Sequence, residues 1–260
     1  MQHSVAYTVI FAAIVCVLCA VVVSSSAVSL EERQDVNAAL DKQKNVLYAA
    51  GLATPDEGLE NDAIAALFVN VKQVVVDLET GQEVPNPDFD PSAYDAIKAA
   101  SSEQGRDAPS NLSRVSRLPK YQVVYQVLGE GGDVEMVVIP IEGYGLWGTL
   151  YGFLALDSDG TTVRGITYYK HKETPGLGGE VDNLNWKSLW PGRKAFDDSG
   201  ATAIQVIKGS AGPPSTDPHR VDGLSGATIT SRGVTNMLDF WLGENGFGTY
   251  LKQLRAAHAG

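Results

Sequence analysis

Hydroxyl side chains crowd one decapeptide of this chain. Asp222-Gly223-Leu224-Ser225-Gly226-Ala227-Thr228-Ile229-Thr230-Ser231 carries four of them, with two glycines between. Glycine lets a backbone approach a ligand closely, and Ser and Thr can donate to phosphate oxygens. Downstream, Val234, Leu238, Trp241 and Leu242 recur at amphipathic-helix spacing, so the decapeptide leads into a helix N-terminus. Such a terminus offers unpaired N–H groups and partial positive charge, both favourable to phosphate. An ordinary Ser/Thr N-cap after a glycine turn accounts for the same residues, and composition alone does not choose between them.

Two further glycine stretches could approach a ligand. Glu173-Thr174-Pro175-Gly176-Leu177-Gly178-Gly179 follows a strand-like run, where its amides could meet a ligand or simply make a proline-glycine turn. Gly143-Tyr144-Gly145-Leu146-Trp147-Gly148 matches GxGxxG, but β-type residues follow it where a dinucleotide fold needs a helix. Tyr144 and Trp147 could line a flat aromatic ligand or pack a core. Ala227 stands where a GxSxG elbow needs glycine. His3, His171, His219 and His258 are scattered, suggesting neither a metal cluster nor a Ser-His-Asp set. With no base apparent near any candidate nucleophile, independent hydrolysis is not expected.

The elements that must position these stretches begin with an apolar run. Residues 5–23 are almost continuously apolar, enough to cross a hydrocarbon core of about 30 Å, and we read residues 1–30 as a retained transmembrane anchor rather than a cleaved signal. Cys16 and Cys19, the only cysteines, lie inside that run and read as packing residues, not a redox pair, so thiolate metal sites are excluded elsewhere. Arg33, Lys42 and Lys44 follow the span and no Lys or Arg precedes it, so a simple charge count puts the remainder in the cytoplasm. The net charge of −11 excludes a nucleic-acid partner.

Residues 31–50 read as a helix with Val36, Leu40 and Leu47 on one face and Gly51 as its stop; residues 61–68 read as a second. Residues 69–78 turn to strand character. Residues 84–119, poor in apolar side chains, read as a long surface insertion with one helix over 94–100. Strands over 121–128, 134–141, 146–157 and 163–169, joined by tight turns, imply an antiparallel sheet. A helix over 181–190, a strand over 203–208 and a helix over 248–257 complete the expectation. The fold class is therefore α+β: a single N-terminal transmembrane helix, then a mainly antiparallel sheet with packed helices.

Ser225-Gly226-Ala227-Thr228-Ile229-Thr230 with Asp222 upstream, the loop Glu173–Gly178 and the run Gly145-Leu146-Trp147-Gly148-Thr149-Leu150-Tyr151-Gly152-Phe153-Leu154-Ala155-Leu156 together resemble the FMN-binding domain family of membrane electron-transfer complexes. Anchor and length resemble the single-anchor, FMN-carrying branch found in the sodium-translocating NADH:quinone reductases. The FMN-carrying branch of the Rnf-type ferredoxin:NAD reductases is the alternative, and a non-redox anchored binding module is the rival of another class. The resemblance implies a segment 31–135 ahead of an FMN-binding domain at 136–260. It further implies one FMN joined to Thr230 by a phosphoester, installed from FAD by a flavin transferase whose recognition motif includes Asp222. Ser225, Gly226, Ala227 and Thr228 would complete that motif. Amides near Gly176 and Gly178 would face the flavin beside Thr174, with Leu146, Trp147 and Leu177 shielding it and Lys208 a further candidate. Implied partners are the other subunits of the complex, that transferase, and the lipid bilayer of a bacterial inner membrane. The domain would face the periplasm, against the charge count, since long domains can override that rule. No metal site and no independent catalysis are implied.

Overall fold

A computed structural model describes residues 4–259; the first three residues of the expected anchor and Gly260 lie outside them. In chain order the elements are α1 (Val5–Ala50), α2 (Asn61–Phe68), β1 (Val71–Asp77), α3 (Ala96–Ser101), β2 (Arg106–Asp107), β3 (Arg117–Leu118), β4 (Tyr121–Leu128), β5 (Val134–Tyr144), β6 (Thr149–Asp157), β7 (Val163–Lys170), α4 (Leu184–Lys187), β8 (Gln205–Val206), β9 (Arg220–Val221), α5 (Thr228–Leu242) and α6 (Gly248–Ala259).

The expected anchor and the helix over 31–50 are one element. No Gly or Pro occurs between Val5 and Ala50, so nothing interrupts the backbone hydrogen bonding. Val5–Glu31 is long and apolar enough to cross a membrane. Gly51 ends α1 at φ +70, with Leu52 N–H donating to Leu47 C=O and Gly51 N–H to Tyr48 C=O. Leu47 is buried, but Val36, expected on the same face, is exposed. The chain forms two compact units, Met1–Asp41 and Lys42–Gly260.

The second unit is built on one five-stranded antiparallel sheet, ordered β1-β4-β5-β6-β7. Its strands are apolar on both faces because both are covered, which explains their nearly continuous hydrophobic runs. One face carries Val75, Tyr125, Val138 and Phe153 against Val46, Leu47, Ala50 and Ile64. The other carries Val124, Ile139, Leu154 and Ile166 in a cluster with Val234, Met237, Leu238 and Trp241 of α5. The strand pairing runs through residues 71–128 as well as 134–170, and the segment boundary at 135/136 falls inside β5.

Several expected elements differ. Residues 84–119 are partly core: Val115 and Leu118 are buried, and the Arg117 guanidinium donates to the carbonyls of Ala100, Ser102 and Gly105. The strand expected over 146–157 starts only at Thr149, because the amides of Leu146 and Trp147 turn toward the Glu173 carboxylate. The helix expected over 181–190 is a 3₁₀ turn (Gly178–Asp182) followed by α4. Asn183 separates them with an extended backbone, and its side chain caps Asn185 N–H. The strand over 203–208 shrinks to β8, paired in parallel with β9, and its Val206 N–H donates to Thr235 Oγ1 of α5.

Candidate functional site

Glycines bring the three motif stretches together. α5 lies against β5 where neither partner has a side chain in the way: a Cβ on Gly233 would sit 2.5 Å from the Tyr144 carbonyl oxygen, and one on Gly143 2.6 Å from Met237 Cβ. This seats the first turn of α5 beneath the β5–β6 turn, whose ends are tied by Gly145 N–H to Gly148 C=O at 2.8 Å. The GxGxxG match is thus a hairpin and helix-packing device, as the missing helix after it implied.

The helix begins earlier than expected. Ala227 is its N-cap, so Thr228, Ile229 and Thr230 form the first turn and Thr230 lies inside the helix. Ala227 has no capping side chain, and the three first-turn amides find no acceptor among the described residues. Ser231 Oγ instead accepts from Leu224 N–H at 3.0 Å and donates to Ala227 C=O at 3.1 Å, closing the decapeptide on itself. Ser225 and Thr228 are exposed. Gly226, at φ +71, turns the chain in a left-handed conformation that other residues avoid.

Thr230 is fully buried, and its hydroxyl donates to Glu173 Oε2 at 2.5 Å. The same carboxylate accepts Leu146 N–H and Trp147 N–H on Oε1, each at 2.9 Å. One buried side chain therefore joins all three motifs. Its own N–H donates to His171 Nδ1 at 3.1 Å, which puts the ring proton on Nε2 facing Asp182 Oδ2 at 2.7 Å. Gly145 and Gly178 make room for the carboxylate: a Cβ on Gly145 would approach Glu173 Oε1 to 2.6 Å, and one on Gly178 would come closer still to Oε2. Glu173 overturns the expectation that no base stands near a candidate nucleophile. Its place at the head of the proline-glycine loop was visible in the sequence, but nothing there paired it with a residue 57 positions away.

The remaining residues fall into two groups. Leu146, Trp147, Leu177 and Ile229 are exposed although large and apolar, and Leu177 packs on Gly226, where a Cβ would meet Leu177 Cδ2 at 2.9 Å. Thr174 is exposed and its carbonyl accepts Leu177 N–H and Gly179 N–H, so the Leu177 amide is spent inside its own turn; those of Gly176 and Gly178 are not used by any described backbone acceptor. Asp222 and Lys208 stand apart from Thr230. The Asp222 carboxylate accepts Ala211 N–H at 2.9 Å and its carbonyl accepts Trp186 Nε1–H at 2.9 Å, while Lys208 is exposed. Beside β5, a pocket of about 160 Å³ is lined by Ser113, Arg114, Glu142, Tyr144 and Tyr151, among others; burial pushes the Glu142 carboxyl up to about 7. No cluster of His, Cys, Asp and Glu able to hold a metal occurs among the described residues.

A buried hydroxyl beside three free amides, edged by exposed apolar side chains, defines an anchoring site for a phosphate-bearing, flat aromatic group. The family model for the FMN-binding domain matches residues 145–243, a span that includes all three motifs from Gly145 onward. Over nearly the whole chain the sequence is similar to the NqrC component of the Na(+)-translocating NADH-quinone reductase of Yersinia pestis (44% identity, covering 98% of this chain and 94% of that one) and of Pseudomonas aeruginosa (44%, covering 99% of each). The crystal structure of Shewanella oneidensis NqrC superposes with a TM-score of 0.75 at 35% identity, covering 82% of this chain and 96% of that chain. The chain belongs to the NqrC family of the Na(+)-translocating NADH-quinone reductases.

The site fits FMN on its own geometry. The helix terminus supplies amide donors for a phosphate, Thr230 supplies an ester oxygen, and the exposed Leu146, Trp147 and Leu177 supply apolar surface for a ring system.

Proposed function

We propose that this chain carries FMN on Thr230 through a phosphoester and serves as a membrane-anchored electron-transfer component of a Na(+)-translocating NADH-quinone reductase. The single observation that carries the attachment point is the Thr230 hydroxyl, seated in the first turn of α5 next to amides that have no acceptor among the described residues. When bound, FMN supplies reversible electron chemistry that no side chain here provides.

The polypeptide holds and orients. The amides of Thr228, Ile229 and Thr230 neutralise the phosphate charge together with the α5 dipole. Leu146, Trp147 and Leu177 shield the ring from water, and the Gly176 and Gly178 amides are available to its polar edge. Gly226 and Ala227 shape the turn that presents the threonine, and exposed Ser225 and Thr228 are accessible for recognition by a flavin transferase. Asp222 acts at a distance, holding the loop around Ala211 against the decapeptide. Val5–Glu31 spans the lipid bilayer of a bacterial inner membrane, and the second unit faces the periplasm, where other subunits of the complex meet it.

The test is covalent labelling. In cells that make a flavin transferase, Thr230→Ala should abolish flavin fluorescence from the denatured band, while Thr228→Ala keeps it. A fluorescent T230A band sinks the assignment.

A further inference from the structure

We infer that Glu173 is the base that activates Thr230 for its own modification. The inference rests on Thr230 being the attachment point. A threonine hydroxyl is a poor nucleophile unless a neighbouring group takes its proton as the new bond forms. Such a base must stand within hydrogen-bonding reach of the proton. Glu173 Oε2 is 2.5 Å from Thr230 Oγ1, and the contact is a built one: Glu173 is only 5% exposed and its other oxygen is held by two backbone amides. His171, the nearest imidazole in the chain of contacts, has its Nδ1 on Glu173 N–H and its Nε2 on Asp182, so it orients Glu173 and does not reach the hydroxyl.

The step balances without any oxidant. Thr230 Oγ attacks the FMN phosphorus of the FAD pyrophosphate, supplied on the transferase. An Oγ–P bond forms, the P–O bond to AMP breaks, and AMP leaves with the electron pair. The Thr230 proton passes to Glu173 Oε2. The neutral acid then donates a hydrogen bond to the new phosphodiester, so two negative charges never face each other across 2.5 Å. The amides of the first turn of α5 take the phosphate charge.

The geometry adds one requirement. Thr230 is fully buried, and Gly178 lies so close that its Cβ would be 2.6 Å from Oγ1. The 174–178 turn must therefore lift for the phosphoryl donor to enter. Its residues 174–177 are exposed, so the lift breaks little packing.

The experiment uses the full chain in detergent, unflavinylated, with purified flavin transferase and FAD. Attachment is followed by intact mass and by AMP release, and the native fold by near-ultraviolet circular dichroism. Glu173→Gln keeps an oxygen that can accept the Leu146 and Trp147 amides but cannot take a proton. It should lower the maximal attachment rate at least about 100-fold, with little change in the chain concentration needed for half-saturation. Attachment to E173Q at the wild-type rate, or a loss confined to half-saturation, overturns the inference. If E173Q does not hold the native spectrum, Glu173→Asp decides. Its carboxylate is withdrawn by one methylene, so attachment should slow at least about tenfold, and a full rate overturns the inference. Wild-type chain that takes no label at Thr230 overturns the attachment site and this role together, whereas labelled wild type with equally labelled E173Q overturns this role alone.

Discussion

Adding one methyl group at Gly178 tests the packed geometry around Thr230 directly. Gly178 has an ordinary backbone conformation, so Gly178→Ala strains no dihedral and acts only through its Cβ. That Cβ would press on Glu173 Oε2 and lie 2.6 Å from Thr230 Oγ1 and 3.1 Å from Glu173 Cβ. Flexible ends can usually yield, but this carboxylate is buried and pinned by the amides of Leu146 and Trp147. The clash is relieved either by pushing Glu173 off the hydroxyl or by lifting the 174–178 turn. Overpacking of this kind costs about 1–3 kcal/mol, and a lost hydrogen bond to a charged group about 1.5–3 kcal/mol. The two overlap because one displacement causes both, so we expect a net loss of about 2–3 kcal/mol. At about 2–4 °C per kcal/mol for a unit of this size, Tm should fall by about 4–12 °C. The assay is thermal unfolding of unflavinylated chain, with Gly148→Ala as the control, since a Cβ there meets only Lys172 at 3.4 Å. If G178A melts with the wild type, the contact of Gly178 with the Glu173–Thr230 pair is wrong.

Two further perturbations probe the elements that carry the site. Burial raises the Glu142 carboxyl from 4.5 to about 7, so the folded chain holds a proton that the unfolded chain releases near pH 4.5. Its contribution to stability is full below about pH 4.5 and is lost as pH rises through about 7, amounting to about 3 kcal/mol. Glu142→Gln, which stays neutral, should match the wild type in urea unfolding at about pH 4.5 and exceed it at about pH 8; parallel pH profiles would refute the burial argument. Gly233→Ala should destabilise the domain by about 1–2 kcal/mol in urea unfolding. Alanine favours a helix by about 1 kcal/mol, but here its methyl group would press on the Tyr144 carbonyl, 2.5 Å away. A more stable G233A would show that α5 does not ride against β5 as described.

Local pattern carried much of the fold. The bounds of α2 follow from its short apolar repeat, and the hairpin of β4 and β5 from β-type runs around a glycine turn. Val234, Leu238, Trp241 and Leu242 are all buried, as their spacing required. Other features depend on what lies far away in sequence. Leu118 sits in a polar stretch, and only the fold shows that it is core. Asn183 breaks a helix because its side chain caps the next turn, a competition that periodicity does not register. Val36 has the right phase to share a face with Leu47, yet it is exposed while Leu47 is buried.

The site was legible as three glycine-rich stretches and a threonine, but not as an arrangement. The glycines serve different approaches: Gly143 and Gly233 let a helix meet a strand, Gly145 and Gly178 leave room for a carboxylate, and Gly226 receives Leu177. In a one-dimensional sequence these look alike, and the GxGxxG match at 143–148 arises because two of those approaches happen to fall two residues apart. What distinguishes them is the partner across each gap. Glu173 is that partner for Gly145 and Gly178 and also the acceptor for Thr230. A glycine whose missing Cβ faces a buried carboxylate, itself bonded to a hydroxyl at a helix N-terminus, marks a site where a proton has somewhere to go when that hydroxyl is phosphorylated. Either feature alone would be an ordinary turn or an ordinary cap; the carboxylate between them gives the threonine a reactive setting.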